Sequence, residues 1–392
     1  MKSYPLMKNN IDKNDLIKVI SHLKKKDPIL TSNKEVRKFE KMWSKWLGVK
    51  YSVFVNSGSS ANLISLHILK EKYPKGGEVI VSPLNWVSDI TSIFNAGFSP
   101  KFVDIDLETL SMNNEKIINA ISKKTVCVLV SHIQGFNGIS KKLINVLKNK
   151  KISLIEDVCE SHGASFMKKK LGSFGLISNF SFYYAHHLST IEGGMICSNN
   201  KLIYESARMF RGHGMLRESD SIEYKNKIIK KNKNLNPSFI FLKHGFNMRN
   251  NEIGALIGQS QLKRLNKNIK RRNENFYFFL KNINSNKYFV NFDLNGSSNY
   301  AFNLIQISNS KIEFNKLTDR LKKHKIEFRV GSAGGGNQLR QPYLKEFVKK
   351  NKIKISDFTN TEKVHFFGMY IGNYPDLSFK NIKKICDIIN QS

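Results

Sequence analysis

Small and polar residues fill the stretch Asn56–Asn62, which has the composition of a phosphate-binding turn. The stretch lies between a predicted strand and a predicted helix, so several backbone N–H groups can converge beside the positive end of the helix dipole. A turn of this kind stabilises an anion such as phosphate. Turns of serine and glycine also precede helices that bind no ligand, and the stretch alone does not separate the two interpretations.

Acidic residues end the apolar run that begins at Leu154. Asp157 and Glu160 lie at the C-terminal end of a predicted strand, which is where α/β sheets bind their ligands. A carboxylate there can ligate a metal, cap a helix, or pair with a protonated heterocycle nitrogen such as the pyridinium of pyridoxal phosphate. The spacing is compatible with all three roles.

Two adjacent histidines, His186 and His187, occur within the segment Phe180–Gly194. Neighbouring residues of a regular element point in different directions, and no further acids stand at metal-ligand spacing, so we predict no metal site. An imidazole titrates near neutral pH, so a histidine that faces a pocket can act as acid and base. From these residues alone, a packed or surface pair is the more ordinary outcome.

Strand-length apolar runs alternate with helix-length segments from Tyr51 onward, which predicts an α/β fold with a mostly parallel sheet. The predicted strands are Tyr51–Val55, Glu78–Ser82, Lys101–Asp104, Thr125–Val130, Ile152–Glu156, Ile177–Phe182 and Met195–Ser198. Before them, Ser32 or Asn33 is expected to cap a helix through Trp46 that stops at Gly48.

The remainder predicts a second, smaller α+β domain. We place a large domain at residues 1–245 and a small C-terminal domain at 246–392, with an interdomain helix over 251–280. A further helix is expected at Lys316–Lys323. The stretch Tyr224–Ser238 is rich in lysine and asparagine and closes with a proline, so it is interpreted as a mobile loop.

The chain has 392 residues, a hydrophobic fraction of 40% and a net charge of +33. Its hydrophobic content excludes a wholly disordered protein, and its four scattered cysteines fit neither a disulfide scaffold nor a metal cluster. No apolar run approaches the ~18–20 residues of a membrane span, and we expect a soluble cytoplasmic protein. The charge fits nucleic acid, anionic lipid, an anionic substrate, or solvated lysines without a partner. Because the chain has no nucleic-acid-binding motif and no apolar run of membrane-spanning length, we predict neither nucleic-acid nor membrane binding.

Taken together and in order, these stretches resemble the sugar-nucleotide aminotransferase family (DegT/StrS-like) of fold-type-I pyridoxal-phosphate enzymes. The resemblance covers nearly the whole chain and also rests on Ser82–Trp86, Phe102–Asp106, Gly172–Gly175, Arg211–Gly214 and Gly245–Glu252. It implies an aspartate aminotransferase-like large domain and pyridoxal or pyridoxamine 5'-phosphate as the cofactor. It also implies a homodimer with shared active sites.

Position 186 departs from the family pattern, because ordinary members carry a lysine there that binds the cofactor as a Schiff base. His186 cannot form that bond, and the exchange is similar to the 3-dehydratases of the family. The resemblance implies a lyase acting at C3 of a 4-keto-6-deoxy sugar linked to GDP, with release of water and ammonia and with glutamate as amino donor. Such a reaction serves dideoxysugar synthesis for lipopolysaccharide or capsule.

Three alternatives are weighed against this interpretation. A plain aminotransferase is disfavoured because the lysine is absent. A related 3-dehydrase of CDP-linked sugars adds a cysteine-ligated iron–sulfur cluster, for which the scattered cysteines supply no pattern. A non-catalytic binding protein is disfavoured because Asp157 and Ser181 are retained.

The resemblance also implies a role for each site residue. His186 is expected to be the catalytic acid and base. Cofactor contacts are expected from Gly58, Ser59 and Ser181 to the phosphate, from Asp157 to the pyridine nitrogen, from Trp86 to the ring face, and from Glu160 near the ring hydroxyl. Asn247 is expected to reach the phosphate in the neighbouring subunit. Substrate or donor contacts are expected at His213, Arg217, Arg249 and Arg329.

A glycine-rich run, Gly331–Gly336, replaces the proline and short substrate loop that commonly follow the arginine at Arg329 in this family. A flexible run leaves room for a larger sugar, for example a 4-keto-6-deoxyheptose. A solvent-exposed loop explains it equally well.

Overall fold

The computed structural model describes residues 3–391. Its strands are β1 (Tyr51–Val55), β2 (Glu78–Val81), β3 (Ser99–Phe102), β4 (Thr125–Ser131), β5 (Ser153–Asp157), β6 (Ser165–Phe166), β7 (Lys169–Lys170), β8 (Ile177–Ser181), β9 (Gly194–Ser198), β10 (Ala301–Ile305), β11 (Phe328–Val330) and β12 (Gly368–Gly372). All seven predicted strands are confirmed, each within two residues of its expected bounds.

The α-helices are α1 (Lys13–Leu23), α2 (Lys34–Leu47), α3 (Gly58–Lys72), α4 (Val87–Asn95), α5 (Asn114–Ala120), α6 (Lys141–Asn149), α7 (Lys201–Arg211), α8 (Ile222–Lys231), α9 (Glu252–Leu262), α10 (Leu265–Asn282), α11 (Lys311–Lys323), α12 (Lys345–Lys350), α13 (Thr359–Phe367) and α14 (Phe379–Asn390). Helix α2 ends at Gly48 as predicted, in the left-handed conformation that glycine adopts without steric cost (φ +88°). Within residues 3–391, no helix has both the length and the apolar character needed to cross a bilayer.

The large sheet has seven strands in the order β1-β9-β8-β5-β4-β2-β3. Strand β9 runs antiparallel to both of its neighbours, and the remaining pairs are parallel. Parallel strands connected through helices have apolar side chains on both faces. In β4, for instance, Cys127 and Leu129 pack on one face while Val128 and Val130 pack on the other. The predicted α/β fold with a mostly parallel sheet is therefore confirmed.

A smaller antiparallel sheet, β10-β12-β11, lies in the C-terminal part of the chain. Helices α10, α11 and α14 contribute to its apolar core, which includes Phe279, Leu321 and Ile385. Tyr4, near the start of the chain, also packs in this core and forms a parallel β-bridge with Ile326. The boundary at residue 245 stays a prediction.

The expected mobile loop at Tyr224–Ser238 is wrong over most of its length. Helix α8 occupies Ile222–Lys231, and Ser221 caps it by accepting a hydrogen bond from the Tyr224 N–H at 3.3 Å. The polar composition suggested a loop, but no glycine or proline interrupts the chain before Pro237. None of the helix residues is buried, so local hydrogen bonds and not core packing account for the helix.

The expected single helix over 251–280 is also corrected, because it is two helices that meet at Lys263 and Arg264. The backbone of Arg264 (φ −107°, ψ −1°) departs from the angles of a regular α-helix. Its guanidinium makes two hydrogen bonds to the buried carboxylate of Asp15 in α1, at 2.8 and 2.6 Å. The break is thus fixed by an ion pair to a distant helix, which periodicity alone does not reveal.

Glu252, the first residue of α9, caps a helix other than its own. Asn33, at the start of α2, makes no side-chain capping bond. The buried Glu252 carboxylate instead accepts the N–H groups of Asn33, Glu35 and Val36 at 2.9, 2.8 and 2.9 Å. These are N–H groups that a helix N-terminus leaves without intrahelical partners.

We predict that Glu252→Ala destabilises the protein by about 2–3 kcal/mol, because three N–H donors at the start of α2 lose a charged acceptor. The change is measured as a lower midpoint of unfolding in urea. Glu346→Ala, at an exposed position of α12, serves as the matched control and should leave the midpoint unchanged. Equal midpoints for the two variants would contradict the capping role.

Candidate active site

A cavity of about 590 Å³ lies at the carboxyl ends of the parallel strands and extends to the glycine-rich run of the small domain. Turns after β1, β2, β4, β5 and β8 supply its walls, because parallel strands end at a common edge. Eight predicted site residues come together there: Gly58, Ser59, Trp86, Asp157, Glu160, Ser181, His186 and Arg329. No lysine within residues 3–391 lines this cavity.

The turn between β1 and α3 forms an anion cradle. Ser57 caps α3 by accepting the Ser60 N–H at 3.0 Å, which leaves the N–H groups of Gly58 and Ser59 as the free donors of the first turn. A Cβ atom on Gly58 would lie 2.6 Å from the Cβ of Ser181, so glycine is what allows the turn to approach the end of β8. The Ser181 hydroxyl thereby joins the helix N–H donors at one place, as a phosphate requires.

Asp157 provides a nearly buried carboxylate at the end of β5, with 7% of its surface exposed. Its Oδ2 accepts Asn62 Nδ2 at 2.8 Å, and its Oδ1 accepts the Cys159 N–H at 2.8 Å. Both donors are neutral, so they hold the carboxylate without cancelling its charge. A protonated ring nitrogen is a cation that this carboxylate can pair with.

His186 lies at the cavity wall in the segment after β8. Its Nδ1 is buried and has no hydrogen-bond partner among the described residues. Burial lowers the pKa of His186 to about 4, with the charge of Asp157 opposing that shift and Arg272 adding to it. The imidazole is therefore neutral at physiological pH and is able to accept a proton.

The second histidine has a different role. His187 is buried, and its Nε2 donates to the carbonyl oxygen of Ser298 at 3.0 Å. It does not line the cavity. The two adjacent histidines thus separate into one at the cavity and one in the interior.

A second polar group at the cavity consists of Glu160, Arg329, Tyr300 and Tyr370. Glu160 accepts the Gln134 N–H at 3.0 Å. Burial raises the pKa of Glu160 to about 7, Asp157 adds to the rise, and Arg329 opposes it. Arg329 donates to the Tyr370 hydroxyl at 3.3 Å. Among the described cavity residues, Arg329 carries the one permanent positive charge, which suits a carboxylate or phosphate.

Trp86 stands just before α4 and remains 53% exposed although it lines the cavity. Its backbone N–H bonds the Asn85 side chain at 2.9 Å, which holds the start of the helix. An exposed indole face beside the carboxylate of Asp157 provides a surface on which a flat ring can stack.

The glycine-rich run lies at the cavity wall and is not a solvent loop. Ser332 and Ala333 are buried, and both line the cavity together with Gly334 and Gly335. Gly334 has a φ of +60°, and a Cβ on it would lie 2.0 Å from the Asn85 carbonyl oxygen. The run therefore packs directly against the segment that carries Trp86.

Four predicted site residues do not line the cavity of their own chain: Asn247, His213, Arg217 and Arg249. Asn247 is exposed and pairs with Gly212, while the Arg249 guanidinium donates to Glu218 at 3.4 Å. His213 and Arg217 belong to the same region of the surface. A role for these residues at the cavity of a second subunit stays a prediction.

The structure adds cavity residues that the sequence did not indicate, namely His132, Tyr300 and Tyr370. Tyr300 and Tyr370 lie more than a hundred residues along the chain from Glu160 and His186, which line the same cavity. No local pattern distinguishes them from core tyrosines. Tyr183 also lines the cavity. Its place in the Phe180–Gly194 segment, three residues before His186, could have indicated this from the sequence.

A model of the DegT/DnrJ/EryC1/StrS aminotransferase family matches residues 10–390. The chain belongs to this family. The family predicted from the motifs is thereby confirmed, and the cavity residues Gly58, Asp157 and Ser181 all fall within the matched region.

Several relatives extend over the whole chain. GDP-4-keto-6-deoxy-D-mannose 3-dehydratase of Escherichia coli O55:H7 is 30% identical over 403 aligned positions, covering 99% of this chain and 100% of the relative. A crystal structure of GDP-4-keto-6-deoxymannose-3-dehydratase, a histidine-to-asparagine mutant with bound GDP-perosamine, is 30% identical with a TM-score of 0.87 and covers 98% and 100% of the two chains. Another, with a trapped PLP–glutamate geminal diamine, is 29% identical with a TM-score of 0.86 and the same coverage.

We predict that Gly334→Ala displaces the glycine-rich run, whereas Gly335→Ala leaves it in place. Both glycines have positive φ, so both substitutions cost about 1–2 kcal/mol of backbone strain. Only at Gly334 does the new Cβ meet backbone, since nothing lies within 4 Å of a Cβ on Gly335. Gly334→Ala should lower the unfolding midpoint further and speed proteolytic cleavage within residues 330–340. Indistinguishable variants would contradict the packing described for this run.

Proposed function

We propose that this protein is a dehydratase dependent on pyridoxamine phosphate that removes the C3 hydroxyl of a nucleotide-linked 4-keto-6-deoxy sugar. GDP-4-keto-6-deoxymannose or its heptose homologue is the proposed substrate. The observation that carries the proposal is a cavity with a phosphate cradle, Asp157 and His186 but without a lysine. Two relatives that span the chain, the Escherichia coli O55:H7 enzyme and the protein crystallised with GDP-perosamine, bear the name of this reaction.

The residues present fit the cofactor. The Gly58 and Ser59 N–H groups with the Ser181 hydroxyl would hold its phosphate, and Asp157 would pair with its protonated ring nitrogen. Trp86 would cover one ring face. When bound, the cofactor supplies an amine that condenses with a sugar ketone and a ring that delocalises electrons. Without a lysine at the cavity, it has no covalent attachment to the chain.

His186 performs the proton transfers in this proposal. Its neutral imidazole can take a proton from a carbon atom, and the resulting imidazolium can give that proton to the departing C3 hydroxyl. The low pKa of His186 favours the second transfer, because an imidazolium in this place is a strong acid. Histidine cannot replace lysine as a covalent amine carrier, so the amine leaves as ammonia.

The overall reaction balances with glutamate as the amino donor. One sugar and one glutamate give the 3-deoxy-4-keto sugar, one 2-oxo acid and ammonia; the water lost at C3 is regained in hydrolysis. Glutamate is oxidised and the sugar is reduced at C3. Arg329 can bind a donor carboxylate or the sugar diphosphate through its paired N–H groups. A relative trapped with PLP and glutamate supports glutamate as donor.

Features of the chain argue against the alternatives. Cys127, Cys197 and Cys386 are buried on three separate elements, and only Cys159 lines the cavity, so an iron–sulfur cluster has no ligand set here. A binding protein without activity has no need of an unpartnered imidazole at the cavity.

Location in the cytoplasm remains a prediction.

We further propose a homodimer in which each subunit completes the other's site. The exposed apolar side chains of Trp86, Tyr183 and Ile191 stand at or beside the cavity, and apolar surface of this kind is suited to burial in an interface. Asn247 is exposed and does not line its own cavity. In a two-fold dimer the same residue would reach the partner's phosphate cradle.

The function is tested by incubating the purified protein with pyridoxal phosphate, glutamate and a nucleotide sugar, with ammonia as the readout. We expect ammonia from GDP-4-keto-6-deoxymannose or its heptose homologue, and none from CDP-4-keto-6-deoxyglucose. His186→Asn should lower the rate ~10²–10⁴-fold, the usual contribution of a general acid and base. His244→Asn, at an exposed position, is the matched control. Formation of a 4-amino sugar without ammonia would establish an aminotransferase instead.

Shared sites are tested by mixing two inactive variants, His186→Asn and Asn247→Asp. The first removes the proton carrier, and the second places a negative charge where the partner's phosphate is proposed to bind. Random mixing of subunits gives one intact site in each mixed dimer, so about a quarter of the wild-type activity should return. No recovery in a mixture with demonstrated subunit exchange would mean that both residues serve the same cavity.

A further inference from the structure

Asp89 is a buried acid for which the proposed reaction has no use. It lies in the first turn of α4, three residues after Trp86, and its side chain is fully buried. An isolated charge in such a place is very costly, so a buried acid is either paired with a cation or uncharged. Asp89 is inaccessible to solvent, and no basic side chain pairs with it among the described residues.

The contacts of Asp89 lead directly to Asp157. Asn62 is buried, and its Nδ2 contacts Asp89 Oδ1 as well as Asp157 Oδ2, the latter at 2.8 Å. On the other side, the Ser131 hydroxyl lies 2.6 Å from Asp89 Oδ2, and Asn85 Nδ2 donates to that hydroxyl at 2.8 Å. One amide nitrogen thus bridges two carboxyl groups.

Two carboxylates that share one neutral donor in a buried site cannot both ionise at low cost, because like charges at short range raise the affinity for a proton. Asp157 borders the cavity and receives a second donor, the Cys159 N–H. Asp89 has no access to the cavity. Burial and the neighbouring Asp157 raise the pKa of Asp89 well above its ordinary value. The proton of the pair therefore belongs to Asp89.

We propose that Asp89 is a positioning residue, held as a neutral carboxylic acid, that leaves Asp157 as the charged member of the pair, available to the cofactor's ring nitrogen, and fixes the orientation of Asp157 through Asn62. The cofactor part of this inference rests on the proposed function; the protonation of Asp89 does not. In the neutral form, Asp89 can donate its hydrogen bond to the Ser131 hydroxyl oxygen, since a hydroxyl both donates and accepts.

The chain of contacts also reaches the substrate wall. Asn85 donates to Ser131, its side-chain oxygen accepts the Trp86 N–H, and its backbone carbonyl packs against Gly334. The carboxyl pair, the indole that would stack on the ring and the glycine-rich run thus share one residue. Asp89 can in this way keep the Asp157 carboxylate and the Trp86 indole at a fixed distance from each other.

The protonation of Asp89 is tested by infrared spectroscopy of the cofactor-free protein at neutral pH, with ¹³C-labelled aspartate to identify the band. We expect a carboxylic-acid C=O band that shifts on labelling and disappears in Asp89→Asn. Asp319→Asn, at a position with a 74% exposed side chain, is the control and should leave the band unchanged. Absence of the band, or its persistence in Asp89→Asn, would overturn the proposal.

The positioning role is tested by the dissociation constant of pyridoxamine phosphate and by the ¹⁵N chemical shift of its bound ring nitrogen. Asn at position 89 is neutral and keeps hydrogen-bonding groups, so Asp89→Asn should bind within about 3-fold of wild type with the nitrogen still protonated. Asp89→Ala should weaken binding at least ~10-fold and shift the nitrogen signal, with folding checked by circular dichroism.

A 10-fold loss in Asp89→Asn, or no loss in Asp89→Ala, would contradict that role. If the wild-type protein binds no cofactor at all, the proposed function fails, whereas the infrared result on Asp89 stands independently.

Discussion

The site depends on keeping one carboxylate charged in a place where charge is expensive. Asp157 is nearly buried, and its two donors, the Asn62 amide and the Cys159 N–H, are neutral. The remaining negative charge is directed at the cavity, where it attracts a cationic ring nitrogen. The burial that makes this charge effective also makes it sensitive to every neighbouring ionisable group. That sensitivity explains why a second acid close by, Asp89, is uncharged, whereas His186 stays neutral because of its own burial.

The charge of the cavity lining differs from the net charge of the chain. Lysine and arginine exceed acids by 33, yet Arg329 is the only one of them that lines the cavity within residues 3–391. Most of the basic residues therefore belong to solvated surfaces, and the net charge says little about the chemistry. The donors proposed for the cofactor phosphate are instead uncharged: the N–H groups at the start of α3 and the Ser181 hydroxyl.

Much of this could be predicted from the sequence because the determining features are local. Alternating apolar runs located the strands of the large sheet, and the stretches Asn56–Asn62, Leu154–Glu160 and Phe180–Gly194 each lie at a strand end, where their polar residues meet. Where the determining contact is distant, the pattern misled. The break at Arg264 follows from its pairing with Asp15, more than two hundred residues away. Helix α8 was missed because its composition, rich in lysine and asparagine, is also typical of a loop, and none of its residues is buried.

The sequence by itself determined the family, the sheet and the exchange of the usual lysine for His186, since these depend on residue identity and on order along the chain. Only the tertiary structure decided which histidine meets the cavity and that the glycine-rich run packs against Asn85. It also brought Tyr300 and Tyr370 to the site and placed Asp89 beside Asp157. The physical reason is that burial and short-range electrostatics depend on distances in space, and residues far apart in the chain set those distances.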